Sequence, residues 1–333
     1  IMANTFKFGN GNWAVKDGSA LAYNDENNNF KPLPFDFTRA SSATTLNRQG
    51  LIETVGSGKP RIDFTDNTDG HLLLEPSRRN YVTNSEDLTG GTKSVVTATA
   101  NTTETTDPSG GNNATKFQVT ASGADAYSRT QYTAALTDFS CFIYLKAAAG
   151  QKFQIFAARD SYAQIVNGDL ITCTGDWQKV EFSGTFSTTS STVVFGIEFG
   201  HSATDSVSGQ VYYCWGAQLE QGSYPTSYIP TEGSSVTRVA EVANGAGNST
   251  VFNDSEGVLF VEMAALADDG TSRRLSISDG SNNNQVSLIY GASNQISPAI
   301  YSGGSFQMGG NYTLSDQTDT IKVALKYNTN DAA

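Results

Sequence analysis

Histidine and cysteine are scarce in this chain of 333 residues, which carries two histidines, His71 and His201, and three cysteines, Cys141, Cys173 and Cys214. The odd number of cysteines, none in a CxxC pair, excludes a fully paired disulfide framework and a thiolate zinc knuckle. Cys141 and Cys214 sit in strand-like runs, so all three are expected as reduced, small hydrophobes, in keeping with folding in a cytoplasm. His71 precedes an apolar run at 72–74 and His201 lies in a polar loop; neither belongs to an HExxH, GxSxG or phosphate-loop pattern. Charge is sparse too: charged residues make up 16% of the chain, and acidic residues outnumber basic ones 33 to 21, for a net charge of −12. A nucleic-acid-binding surface needs the opposite balance. No stretch approaches the roughly 18 apolar residues of a membrane-spanning helix, and the opening IMANTFKFGNGNW lacks the apolar centre of a signal peptide.

What the chain has in abundance is turn and strand chemistry, including 32 glycines. Strand signals recur through 116–219: KFQVT at 116–120, DFSCFIYLK at 138–146, KFQIFA at 152–157, WQKVEFSGTF at 177–186, TVVFGIEF at 192–199 and VYYCWGAQL at 211–219. Short strands, polar turns and no helical period predict an antiparallel β-sandwich. In the last strand Val211, Tyr213, Trp215, Ala217 and Leu219 alternate with their neighbours and are expected to share one buried face. The strand ends at the turn signal Gln221-Gly222-Ser223, and Tyr224-Pro225 and Ile229-Pro230 hold the exit extended.

The order FDFTRASSATTLNRQGLIE, PRIDF, HLLLEPSRRN and, 130 residues later, WGAQLEQGSYPTSYIPT resembles a family of bacteriophage tail-fibre, head-fibre and other structural virion proteins. Phe35, Thr38 to Ser41, Ala43, Thr44, Asn47, Gly50 to Glu53, Pro60 to Phe64 and Leu72 to Arg78 carry the match, whereas Arg79 stands where the family has Thr. The resemblance brackets residues 35–238. It implies an all-β protein with a carbohydrate-binding-module-like jelly roll, displayed on the virion after synthesis in the host cytoplasm. It also implies a homo-oligomer, a fibre trimer, with other virion proteins and a host or environmental polysaccharide as partners.

The expected organisation is a β-hairpin collar for virion attachment at 1–80, a jelly roll at 81–231, a small polar linker or strap at 232–256, and a second β pattern at 257–333. That last pattern, GVLFVEMAAL through TDTIKVALKYN, resembles the first half of a concanavalin-like or laminin-G-like sandwich. At about 77 residues it is short for one, so the natural chain is expected to continue.

Site residues follow from strand alternation. With Phe139, Cys141, Ile143 and Leu145 facing the core, Phe142 and Tyr144 line the opposite face. By the same rule Gln154, Phe156, Glu198, Tyr212 and Gln218 fall on second faces. Flat aromatics mixed with amides and a carboxylate suit a glycan, which stacks its ring faces and hydrogen-bonds its hydroxyls. The competing expectation is that the collar or another subunit covers this face. The resemblance to calcium-containing jelly rolls marks Glu86, Asp87, Asp125 and Glu220 as possible oxygen ligands for a structural calcium, though they form no EF-hand spacing. No catalytic residue and no required cofactor are expected. The alternatives are a polysaccharide depolymerase, which needs two converging carboxylates, and a purely structural virion component.

Overall fold

The computed structural model describes residues 14–16, 19–21, 35–188, 190–200, 205–247, 252–253 and 255–328. His201 and residues 1–13, 17–18 and 22–34 of the expected collar therefore lie outside the described residues. The chain divides into two compact units, Thr5–Asn244 and a unit built from Gly245–Ala333 with Ile1–Asn4.

In the larger unit the first strands are β1 (Ala14–Lys16), β2 (Ser19–Leu21) and β3 (Phe35–Thr38). Two hairpins follow, β4 (Ala43–Leu46) with β5 (Ile52–Val55) and β6 (Arg61–Asp63) with β7 (His71–Leu73). The first turns where Asn47 Oδ1 accepts from the backbone N–H of Gln49 and Leu51 and Gly50 takes a left-handed φ of +79°, the turn chemistry of Asn and Gly. β8 (Arg78–Asn80) then leads into the sandwich.

The sandwich strands are β9 (Thr92–Ser94), β10 (Val96–Thr99), β11 (Thr115–Val119), β12 (Tyr127–Thr133), β13 (Asp138–Ala147), β14 (Lys152–Arg159), β15 (Gln164–Asn167), β16 (Ile171–Thr172), β17 (Gln178–Thr185), β18 (Thr192–Phe199) and β19 (Val211–Gln221). They form a five-stranded sheet, β10-β11-β19-β13-β17, and a six-stranded sheet, β15-β14-β18-β12-β9 with β16 on β14. All their pairings are antiparallel. Between the sheets, alternate residues make one apolar core that includes Phe117, Phe139, Cys141, Ile143, Leu145, Phe153, Ile155, Ile197 and Phe199. Phe199 rings contact Phe117 at 4.8 Å and Tyr212 at 5.0 Å. The three cysteines are free and buried in this core, and burial pushes the thiols of Cys141 and Cys214 up.

The alternation expected for β19 breaks once. Against β13 the register shifts between Phe142, opposite Gln218, and Tyr144, opposite Trp215. The extra residue lies at Gly216, whose φ of +67° is the conformation a β-bulge with a left-handed first residue requires. Tyr212 and Cys214 before the bulge and Ala217 and Leu219 after it all face the core, while Trp215 faces outward with Tyr144. The expectation that Trp215 shares a face with Ala217 and Leu219 is corrected accordingly.

The segment 232–244 is no free linker. β20 (Val236–Arg238) pairs with β8, β21 (Val242–Asn244) pairs with β3, and Arg238 is fully buried. Residues 35–80 and 232–244 belong to the same compact unit as the sandwich.

In the smaller unit β22 (Glu256–Met263) pairs with β28 (Ile321–Asn328). The strands β23 (Arg273–Ser278), β24 (Gln285–Tyr290), β25 (Gln295–Ser302) and β26 (Ser305–Gly309) form an antiparallel sheet, with β27 (Tyr312–Thr313) on β25. Leu259, Leu325, Leu288, Tyr290 and Ile296 make their common core. Among the described residues no helix is long and apolar enough to cross a membrane.

Candidate functional site

The outer face of the six-stranded sheet is built by the residues that alternate with its core positions. Register fixes three rows across it. Gln154 stands opposite Glu198, which stands opposite Tyr127; Phe156 opposite Gly196, then Arg129; Ala158 opposite Val194, then Gln131. β15 extends the rows with Asn167 beside Phe156 and Ile165 beside Ala158.

Phe156 and Gly196 are made for each other. A Cβ on Gly196 would stand 2.0 to 2.6 Å from three atoms of the Phe156 ring, so the ring lies across the strand where the side chain is missing. Phe156, Ala158 and Val194 form a small apolar floor, with Tyr162 packed against it. Tyr162 arrives on a short 3-10 turn in which Ser161 has φ 54°, ψ 40° and Tyr162 has φ 72°. Two successive left-handed residues, neither glycine, store roughly 1 kcal/mol or more each, and such strain clusters at functional sites.

The turn carries Tyr162 to Arg129. The Arg129 guanidinium lies 4.4 Å from the Tyr162 ring centroid and 4.6 Å from that of Tyr127, one cation between two π faces. Cation–π contacts of this kind at a half-buried site contribute roughly 0.5–1 kcal/mol each and restrict the guanidinium. Around it stand half-buried Glu198 and exposed Gln131 and Asn167. Among the described strand positions of this face Glu198 is the one carboxylate. The arrangement offers aromatic edges, one fixed cation, one carboxylate and two amides, the mixed donors and acceptors that a polyhydroxylated ligand satisfies.

The expected site residues divide three ways. Gln154, Phe156 and Glu198 come together on this face, although Gln154 is buried, donating to the Gly168 carbonyl at 2.8 Å, and Phe156 is floor rather than platform. Phe142, Tyr144 and Gln218 lie on the outer face of the five-stranded sheet, and the centre of that face is covered. Phe142 and Gln218 are fully buried; Ile52, Ala114, Trp215 and Tyr228 pack with Phe142, and Tyr144 meets Trp215 edge-on at 5.7 Å. Gln218 bonds the backbone of Ser227 and Ile229. Tyr212 is between the sheets, its hydroxyl donating to the Lys152 carbonyl at 3.1 Å. Phe142 and Tyr212 are therefore no stacking platforms: Ile52, Trp215 and Tyr228 cover Phe142, Tyr212 lies between the sheets, and Tyr144 is left half-buried beside Trp215. Trp177 is half-buried against this same cluster and donates its indole N–H to the Thr106 carbonyl.

The cover is tied down by a buried ion network. Arg61, fully buried, donates to Glu75 at 2.8 Å, to Glu241 at 2.8 Å, to the Thr44 carbonyl at 2.8 Å and to Ser227 Oγ at 2.6 Å. Arg39 pairs with Glu241 at 2.7 Å and Arg238 with Glu75 at 2.8 Å. Burial alone would raise the Glu75 carboxyl, yet Arg238, Arg61 and the Ser227 hydrogen bonds hold it below the usual range.

The four expected calcium ligands do not converge. Glu220 is fully buried and accepts from the Thr226 N–H and hydroxyl. Glu86 accepts from the Tyr228 hydroxyl at 3.1 Å, Asp87 caps the Thr89 turn, and Asp125 is exposed. Among the described residues no three His, Cys, Asp or Glu side chains form a group that could hold a metal ion.

Alternation alone missed Tyr127, Arg129 and Tyr162. YSRTQYT carries a readable alternating pattern, whereas nothing local marks Asp160-Ser161-Tyr162 as a left-handed turn.

No family model and no curated protein matches the chain. Among solved structures, TmCBM61 in complex with β-1,4-galactotriose is similar at 13% identity and a TM-score of 0.33, over 43% of this chain and 99% of that one. The carbohydrate-binding module CBM6cm-2 from Cellvibrio mixtus lichenase 5A, in complex with cellotriose, is similar at 11% identity and a TM-score of 0.27, over 45% and 99%. The enzymatically active domain of tailspike protein 4 of bacteriophage CBA120 is similar at 12% identity and a TM-score of 0.31, over 42% of this chain and 21% of that one.

Proposed function

We propose that this chain is a non-catalytic accessory protein of a tailed bacteriophage virion, a fibre or decoration protein on head or tail, that adheres to host or environmental polysaccharide through the outer face of its six-stranded sheet. The observation that carries the binding part is the Arg129 guanidinium held by Tyr127 and Tyr162 beside half-buried Glu198 and exposed Gln131 and Asn167. The virion part rests on the motifs bracketing residues 35–238, and in this reading a homotrimer presents the face outward from the particle.

The test is retention on a polysaccharide array by the full chain and by Arg129→Ala combined with Tyr162→Ala. If stacking on these rings resembles base stacking on aromatics, the double variant loses about 1–3 kcal/mol of binding, roughly five-fold to 150-fold, while it still unfolds in one cooperative transition at a lowered urea midpoint. Retention at the wild-type level by a folded double variant overturns this site. A density map of the intact virion with this face buried against another structural protein overturns the adhesive role.

A further inference from the structure

A second, chemically different recess lies away from that face. It opens where β8 meets β20 and the end of β19, has a volume of about 370 Å³ and is lined by Arg78, Arg79, Tyr81, Gln221, Gly222 and Thr237. That volume falls within the rough range of 300–1,000 Å³ typical of small-ligand sites. On a chain of net charge −12, two arginines on one recess are a local reversal of sign.

Both guanidiniums are pre-positioned. Arg78 lies 5.2 Å from the centroid of the Tyr224 ring and Arg79 lies 5.3 Å from that of Tyr81. Gly222, at φ +137°, makes room for Arg78: a Cβ there would stand 2.7 Å from Nη2 and 3.0 Å from Nε. Their hydrogen bonding differs. Arg79 gives Nε, at 3.0 Å, and Nη2 to Ser235 Oγ. Arg78 makes a single long bond, from Nη1 to the Ser77 carbonyl at 3.3 Å, and its Nε is buried with no hydrogen-bond partner. Arg78 Nη2 makes no hydrogen bond and is not among the buried donors, so the donor left to the recess is a charge-assisted one suited to an oxygen anion.

We propose that this recess binds the carboxylate of an acidic sugar. Arg78 receives it through Nη2, Arg79 adds a second positive charge, and the exposed side chains of Gln221 and Thr237 meet neighbouring hydroxyls. The site is independent of the six-stranded sheet face, and either stands if the other fails.

The test titrates the intact chain with galacturonate and glucuronate oligomers and with N-acetylneuraminate, against neutral galactose oligomers at the same ionic strength, and follows the Arg78 Nε–H resonance together with calorimetry. An acidic oligomer is expected to shift that resonance and bind at least about ten-fold more tightly than its neutral counterpart. Arg78→Gln is expected to lose that preference, and Arg79→Gln to lose several-fold in affinity. Because Arg78 packs on Gly222 and Tyr224, the exposed Arg79→Gln and the wild-type resonance keep the test decisive should Arg78→Gln unfold. Arg129→Ala with Tyr162→Ala is expected to leave this binding intact. Equal binding of neutral oligomers, no binding of any acidic sugar up to about 10 mM, or an unmoved Arg78 resonance overturns the proposal. Inorganic phosphate or sulfate binding as tightly as the uronates overturns the sugar-acid assignment in favour of a general oxyanion site.

Discussion

The two sheets of the sandwich share one core and the same alternation, yet their outer faces meet different surroundings. On the five-stranded sheet Phe142 and Gln218 are fully buried and Trp215 is 1% exposed. On the six-stranded sheet Ile165 is 52% exposed, and Gln131 and Asn167 are open. What separates them is distant chain: Thr44 Oγ1 donates to the Tyr228 carbonyl across 184 residues, and Arg39 reaches Glu241 across 202. Alternation says which residues leave the core. It does not say what they meet.

The largest expected effect comes from loosening the sealed face. Arg61→Ala leaves Glu75 and Glu241, both buried, short of their common cation, and breaking a buried ion pair from one side costs about 3–5 kcal/mol. A fall in the urea midpoint without a change in slope is the expected outcome; a loss under about 1 kcal/mol means the cover is held by packing alone. The network also sets an acid limit. Since Arg238 and Arg61 hold Glu75 below its unfolded value, its contribution is present above that value and lost as pH falls through the folded one. Glu220 has the opposite sign. Burial raises it more than Thr226 and Arg238 lower it, so its contribution is present in acid and lost as pH rises through the folded value. Glu75→Gln is therefore expected to be most damaging near neutrality and Glu220→Gln mild there, with the gap closing below about pH 4. A gap independent of pH would show that shape rather than charge matters at both positions.

This network explains why the sequence identified a scaffold more readily than a ligand. The motifs TRAS, PRIDF, LLLEPSR and SYIPT supply Arg39, Arg61, Glu75, Arg78, Ser227 and Tyr228, and all of these except Arg78 serve the cover and its attachment. The strands themselves were legible because their apolar residues recur at a period of two. The bulge had a visible marker, Gly216 inside a strand, but its consequence, Trp215 turned outward, depends on the pairing with β13. The open face was half legible: Gln154, Phe156 and Glu198 belong to it by alternation, whereas Tyr162 reaches it through a backbone conformation its own residue types disfavour.

A medium effect sharpens the open side of the comparison. Gly196→Ala forces the Phe156 ring off the strand, and overpacking of this kind costs about 1–3 kcal/mol. Because the clash is with one ring, Gly196→Ala combined with Phe156→Ala is expected to destabilise by clearly less than the sum of the two single changes. Additive effects would mean that the backbone around Gly196, rather than Phe156, requires the glycine.

The smallest effect bears on whether the open face keeps strain for a purpose. Ser161 is exposed and left-handed at φ 54°. Glycine relieves about 1 kcal/mol of left-handed strain there but gives back roughly half of it as chain entropy in the unfolded state. Ser161→Gly is thus expected to stabilise the unit by about 0.5 kcal/mol, seen as a small rise in the urea midpoint. If the turn exists to set Tyr162 against Arg129, the same variant loosens that clamp and weakens polysaccharide retention while the protein becomes more stable. Stability and retention rising together would instead make the turn an incidental feature of the connection between β14 and β15, and the clamp a property of the side chains alone.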